Sequence, residues 1–172
     1  MQPTTPEIPN NEVLKSELYT FIKEASEKTF AGNAQPLTGP ERPGFIEFIY
    51  NDPAKNLHYR DSFVGDKRSR GMEVVRKDGK PIWCSQYGGG MVEEFADLSH
   101  DTFEFLKKAL SSKDVDKNHK QSFRGPLELK DADWKYEYDQ SGDITEFSGQ
   151  ERIFHKNKLV FYHNVIGGMI EE

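Results

Sequence analysis

The chain has 172 residues, 35% of them hydrophobic and 12% aromatic, with a formal net charge of −6. That length and aromatic content suit one domain with a real core and exclude a disordered chain. The acidic balance gives no general electrostatic basis for holding nucleic acid or an anionic membrane, and no apolar stretch is long enough to span a bilayer.

Residues 1–10 carry Pro3, Pro6 and Pro9 among polar neighbours and are expected to form a flexible tail. They lack the basic and apolar regions of a signal peptide, and the single Cys84 cannot form an intrachain disulfide. A reducing cytoplasm is the expected location. Residues 11–172 are expected to form a single α+β domain made of two repeats, about 11–92 and 93–172.

From Asn11, a plausible N-cap, Val13, Leu14, Leu18, Phe21, Ile22 and Ala25 recur at spacings of three and four, which predicts an amphipathic helix ending before Gly32. Ala31 to Gly44 is a loop rich in Gly and Pro. Phe45 to Tyr50 and Leu57 to Val64 are strand candidates around the turn Asn51-Asp52-Pro53. The basic run Lys67-Arg68-Ser69-Arg70 leads into the next strand and is expected to be a solvated loop.

Gly71 to Val92 predicts a hairpin, because Asp78-Gly79 tolerates positive φ at both centres of a type I′ turn. With an unbroken register Val75 faces Ile82, Glu73 faces Cys84, Val74 faces Trp83 and Met72 faces Ser85. A second helix is expected near Phe103 to Leu110, with Asp101 and Glu104 resembling a capping box. A charged loop, Ser111 to Gly125, precedes the strand candidates Leu127 to Lys130 and Trp134 to Tyr138.

The segment Gly149 to Ile170 then matches Gly71 to Val92 without a gap, sharing Gly71/Gly149, Glu73/Glu151, Lys80/Lys158, Gly89/Gly167, Gly90/Gly168 and Met91/Met169. It is expected to be a second hairpin turning at Lys156-Asn157 and pairing Ile153 with Val160 and Glu151 with Tyr162. Tyr59 and Tyr136 stand at almost the same offset. The resulting expectation is an internally duplicated α+β fold, two helix-plus-antiparallel-strand units forming a curved sheet or half-barrel with two helices packed on its more aromatic surface. The opposite surface would face inward and carry Glu73 and Glu151.

Chemistry is sparsely marked. His58, His100, His119, His155 and His163 form no HExxH or His-x-His pattern, so no metal is expected, and no cofactor motif is present. Gly88-Gly89-Gly90 lacks the rest of a phosphate loop and, with Gly167-Gly168, fits a bulge or close backbone crossing. A carboxylate facing Cys84 would raise its thiol pKa and leave it unreactive.

Glu73 and Glu151 are the sharpest candidates. They could approach one pocket with Tyr162, Cys84, Gln86 and Asn164 and hold a cationic or hydroxyl-bearing ligand. Alternatively each could fix its own hairpin through Tyr or backbone groups or pair with Arg60, Arg124 or Arg152. The expected function is a small-molecule-binding or regulatory module, with two alternatives: an enzyme using Glu73 or Glu151 as general acid or base, and a protein interaction module. The expected partner is a small molecule rather than nucleic acid or membrane, and the oligomeric state, homodimer included, is left open.

Several stretches carry a resemblance: Phe30-Ala31-Gly32, Tyr59-Arg60-Asp61-Ser62 with Gly65, Gly71-Met72-Glu73-Val74-Val75, Pro81-Ile82-Trp83 with Tyr87-Gly88-Gly89, Phe123-Arg124-Gly125-Pro126, and Gly149-Gln150-Glu151 with Gly167-Gly168. In these the chain resembles an uncharacterised bacterial and archaeal domain of unknown function, found alone or behind the helix-turn-helix region of Xre-type regulators. The resemblance implies a neighbourhood and no activity. In plan alone, the duplicated helix-plus-sheet unit is also similar to GyrI-like ligand-binding modules.

Overall fold

The computed structural model describes residues 11–112 and 122–171. Helix α1 (Asn11–Lys28) is followed by strands β1 (Ile46–Asp52), β2 (Leu57–Val64), β3 (Arg68–Lys77) and β4 (Lys80–Met91). A 3-10 turn (Glu93–Leu98) runs into α2 (Ser99–Leu110), and β5 (Glu128–Asp131), β6 (Trp134–Gly142), β7 (Glu146–His155) and β8 (Lys158–Met169) complete the chain. The expected tail, residues 1–10, lies outside the described residues, as do part of the charged loop and His119.

The strands form one open antiparallel sheet in the order β1-β2-β3-β4-β8-β7-β6-β5. Each half is a meander, because every connection but one joins neighbours; the halves meet where β4 pairs with β8, from Trp83↔Met169 to Met91↔Phe161. Both tight turns have the expected conformation. Asp78 and Gly79 have φ of 50° and 80°, and Lys156 and Asn157 have 49° and 62°, the positive values that match a type I′ turn to strand twist.

Two turns of helix on each half bury one face of the sheet. Leu18, Phe21, Ile22 and Ala25 of α1 close over Leu57, Tyr59, Val75 and Trp83, with Phe123, Ile144, Phe147 and Val165 completing the cluster. Phe105, Leu106, Ala109 and Leu110 of α2 close over Tyr136, Tyr138, Ile153, Val160 and Phe161. The capping box expected at Asp101 and Glu104 does not form. The 3-10 turn feeds directly into the helix, so Leu98 occupies the N-cap with no side-chain hydrogen bond and Asp101 sits in the first turn.

The largest departure from expectation is register. Arg76 pairs with Pro81, but Val75 pairs with Trp83, so β4 holds one extra residue, Ile82. The same step occurs between Phe154↔Leu159 and Ile153↔Phe161. A bulge of this kind places two residues against one and reverses the alternation beyond it. Glu73 therefore pairs with Ser85, not Cys84; Val74 with Cys84, not Trp83; Met72 with Gln86, not Ser85. In the second hairpin Glu151 pairs with His163, not Tyr162, and Ile153 with Phe161, not Val160. The acidic and aromatic side chains expected on opposite surfaces thus share one face, the one beneath the helices.

The glycine pairs after the hairpins are close crossings. A Cβ on Gly90 would overlap the carbonyl oxygen of Lys67, and one on Gly168 that of Thr145. These approaches allow Met91 N–H to donate to Lys67 and Met169 N–H to donate to Thr145, at 2.7 and 3.0 Å. Gly90 also has φ of 140°, which an L side chain rarely adopts. Gly90→Ala is expected to cost about 1–3 kcal/mol, read as a lowered urea midpoint; an unchanged midpoint would contradict the crossing.

Candidate functional site

Arg124 connects the two halves of the covered face. It sits just before β5, between Phe123, whose ring packs 4.5 Å from that of Phe147, and Gly125, whose N–H donates to Tyr136 Oη at 3.1 Å. Its Nη2 donates to Glu151 Oε1 at 2.8 Å, and its Nη1 stands 3.9 Å from Glu73 Oε1. Each glutamate also accepts a tyrosine hydroxyl. Tyr59 donates to Glu73 at 2.7 Å and Tyr136 to Glu151 Oε2 at 2.9 Å. Of the alternatives left open by the sequence, pairing with Arg124 and tyrosine is the one that forms.

Glu151 is fully buried, which alone would raise its pKa, but Arg124 and the His163 hydrogen bond outweigh this and hold it at about 2. A carboxylate so stabilised stays ionised near neutrality. Burial likewise opposes the charge on Arg124, yet Glu151 and Glu73 raise its pKa well above the usual arginine value.

A second carboxylate pair lies beside this cluster. Asp61 on β2 pairs across the ladder with Glu73 on β3, so their side chains project side by side from the same face. Tyr87 donates to Asp61 Oδ1 at 2.8 Å, crossing over Gly71, where any Cβ would strike the tyrosine ring. Burial, then the Glu73 charge, raise the Asp61 pKa to about 7, against the opposing pull of Tyr87 and Arg124. Among the described residues no donor reaches Asp61 Oδ2 or Glu73 Oε2.

These groups floor a cavity of about 440 Å³ between the helices and the sheet. Tyr59, Asp61, Ser69, Glu73, Tyr87, Arg124 and His163 give it a polar floor; Phe30, Ile46, Phe63, Phe103, Leu106 and Leu110 give it an apolar wall. His163 is clamped there by the rings of Tyr87 at 5.5 Å and Phe161 at 4.6 Å. Its Nδ1 lies 2.9 Å from Glu151 Oε1 and its Nε2 3.2 Å from Ser69 Oγ. Because ionised Glu151 can only accept, Nδ1 carries the proton of that bond.

Of the residues expected to line a common pocket, Glu73 and Glu151 converge through Arg124. Cys84, Gln86, Tyr162 and Asn164 do not join them. The bulges turn all four onto the outer face, where Gln86 and Asn164 are exposed, Tyr162 is 38% exposed and Asn164 accepts from Gln150 Nε2 at 2.7 Å. Burial, then the Glu73 charge, push the Cys84 thiol pKa up, the expected direction, with burial as the larger cause although Glu73 no longer faces Cys84. Asp61, Ser69, Tyr87 and His163 escaped the sequence reading. The only local sign of the bulges was the adjacent apolar pair in each hairpin, Ile82-Trp83 and Val160-Phe161.

An open antiparallel sheet with two covering helices defines an α+β protein, with a polar-floored, partly open cavity between the layers. Residues 61–170 match the domain of unknown function DUF5680, and the chain belongs to that family. No curated protein and no solved structure matches the chain.

Proposed function

We propose that the protein binds a small organic cation with an apolar or aromatic body, its charged head set against Asp61 and Glu73. The observation that carries this reading is the buried cross-strand carboxyl pair, each member with one oxygen that no donor among the described residues reaches, on the floor of a cavity walled by aromatic rings. Three carboxyl groups, Asp61, Glu73 and Glu151, face one guanidinium, so a bound monocation offsets charge that Arg124 leaves over. The face of Phe63 suits an ammonium group. Among the described residues no three His, Cys, Asp or Glu side chains are placed to hold a metal ion.

The two halves, in this reading, descend from one doubled unit. The shared glycines and glutamates, the matching type I′ turns and the bulges at Val75/Arg76 and Ile153/Phe154 support it. The cavity sits where the equivalence fails. Ser69, Tyr87 and His163 have Phe147, Val165 and Ser85 as their counterparts, and Phe147 and Val165 fill the corresponding space with apolar packing. A binding function explains why only one half stayed open and polar.

The test is calorimetric titration with a phenylalkylamine, the matching alcohol and the matching carboxylic acid. The amine is expected to bind and the other two are not, with Asp61→Asn and Glu73→Gln each weakening the amine at least about tenfold. Equal binding of amine and alcohol would defeat the proposal. The pH dependence has a definite sign. Asp61 faces Glu73 on β3, Tyr87 on β4 and Arg124 before β5, and below its pKa of about 7 it holds a proton that the cation must displace. Amine affinity is therefore expected to rise by up to about tenfold per pH unit from pH 5 and to level off above pH 7.

A further inference from the structure

Ser69 Oγ, His163 Nε2 and Nδ1, and Glu151 Oε1 stand in a continuous line at 3.2 and 2.9 Å, with Ser69 and His163 opening on the cavity. We propose that Ser69 and His163, positioned by Glu151, form a proton relay that makes Ser69 a nucleophile toward a carboxylic ester seated in the cavity. Glu151 fixes the imidazole tautomer with its proton on Nδ1, which leaves Nε2 of the neutral ring as a base pointed at the serine hydroxyl. The rings of Tyr87 and Phe161 hold the imidazole in that orientation. A hydroxyl-to-imidazole distance of 3.2 Å is within the looser range of such pairs before substrate binds.

Glu151 is not free to become a proton carrier, since Arg124 and Tyr136 also bond it. Its part is to position His163, and His163 and Ser69 are the groups that would touch the reacting atoms. Arg124 shares Glu151 Oε1 with His163 and lies over the Tyr87 ring at 5.1 Å, so it adjoins the imidazole. Its Nη1, 3.9 Å from Glu73 Oε1, retains donor capacity for the charge that develops on an ester carbonyl oxygen.

Ser69 Oγ bonds to the carbonyl carbon while its proton passes to His163 Nε2, the ester C–O bond breaks, and the alkoxide leaves with that proton. Water then attacks the acyl-serine through the same base, releasing the acid and restoring Ser69. The apolar wall accommodates the acyl or alkyl body. An ester that also carries an amine would place it at Asp61 and Glu73, and this substrate preference alone rests on the binding proposed above.

A fluorophosphonate probe tests the relay on the full chain, because an activated serine displaces fluoride and retains the phosphonyl group. Peptide mapping is expected to find the adduct on Ser69, with Ser69→Ala abolishing it and His163→Gln slowing it at least about 100-fold while circular dichroism shows both variants folded. p-Nitrophenyl butyrate should give a burst of nitrophenolate that Ser69→Ala lacks. No adduct on Ser69 in the parent, or labelling undiminished in a folded His163→Gln, overturns the relay. Excess phenylalkylamine separates the two proposals: labelling that the amine slows supports both, labelling it leaves untouched upholds the relay and overturns the cation site, and amine binding without labelling does the reverse.

Discussion

Glu151→Gln is expected to lower the stability of the fold by about 3–5 kcal/mol, because it leaves Arg124 buried with only the 3.9 Å contact to Glu73 for compensation. The amide also cannot accept from Arg124, Tyr136 and His163 with the strength of a carboxylate. Chemical denaturation of parent and variant at pH 7 measures the loss, and a difference under about 1 kcal/mol would show that Arg124 does not depend on Glu151. The pH signature is specific. The pKa of Glu151 is depressed from its ordinary 4.5 to about 2 in the folded state, so its stabilising effect is complete above about pH 4.5 and disappears as pH falls toward 2. The variant should lack that part of the acid transition. Replacing Arg124 together with Glu151 by leucine is expected to recover only part of the stability, because Glu73 and Asp61 then share the cavity floor without a cation.

Asp61→Asn is expected to act in the opposite direction and stabilise the protein. The folded state holds the Asp61 proton up to about pH 7, whereas the ordinary value is 3.8. Below about pH 4 the group is protonated in both folded and unfolded chains and contributes no difference. Between 4 and 7 the unfolded chain releases the proton while the folded one keeps it, so parent stability falls as pH rises; above 7 the penalty is constant. A displacement of this size corresponds to a few kcal/mol, about 2–4. Asparagine retains an oxygen for the Tyr87 hydroxyl and never ionises. Guanidinium midpoints at pH 4 and pH 8 should therefore differ little and strongly, respectively, between parent and variant. A variant less stable than the parent at pH 8 would show that Asp61 carries no electrostatic strain. Gain of stability on removing a side chain, together with loss of amine binding, is the behaviour of a group retained for a ligand.

Much of the fold was legible because its signals are local. Asp78-Gly79 and Lys156-Asn157 specify turns through backbone conformations that few residues adopt, and the spacing of Leu18, Phe21, Ile22 and Ala25 specifies which side of α1 is buried. The glutamates stood out because they recur. The face on which they sit was not legible, since one inserted residue at Ile82 and another at Val160 reverses everything beyond it, and neither position contains the glycine or charge that would mark a bulge. That single-residue step moved Cys84, Gln86, Tyr162 and Asn164 out of the site and brought Tyr87 and His163 in. Ser69 was hidden for another reason: it lies in a basic run expected to be a solvated loop, whereas Arg68 to Arg70 open β3, leaving both arginines exposed and Ser69 half-buried with its partner 94 positions away.

The bridge made by Arg124 also constrains how the polypeptide matures on the ribosome. An emerging N-terminal half has Asp61 and Glu73 to enclose but no guanidinium for them, and its helix lacks Phe123, Ile144, Phe147 and Val165 to close against. Distant segments must meet before either requirement is satisfied, which slows folding. The apolar cluster beneath α1 is therefore complete only once β8 has been made.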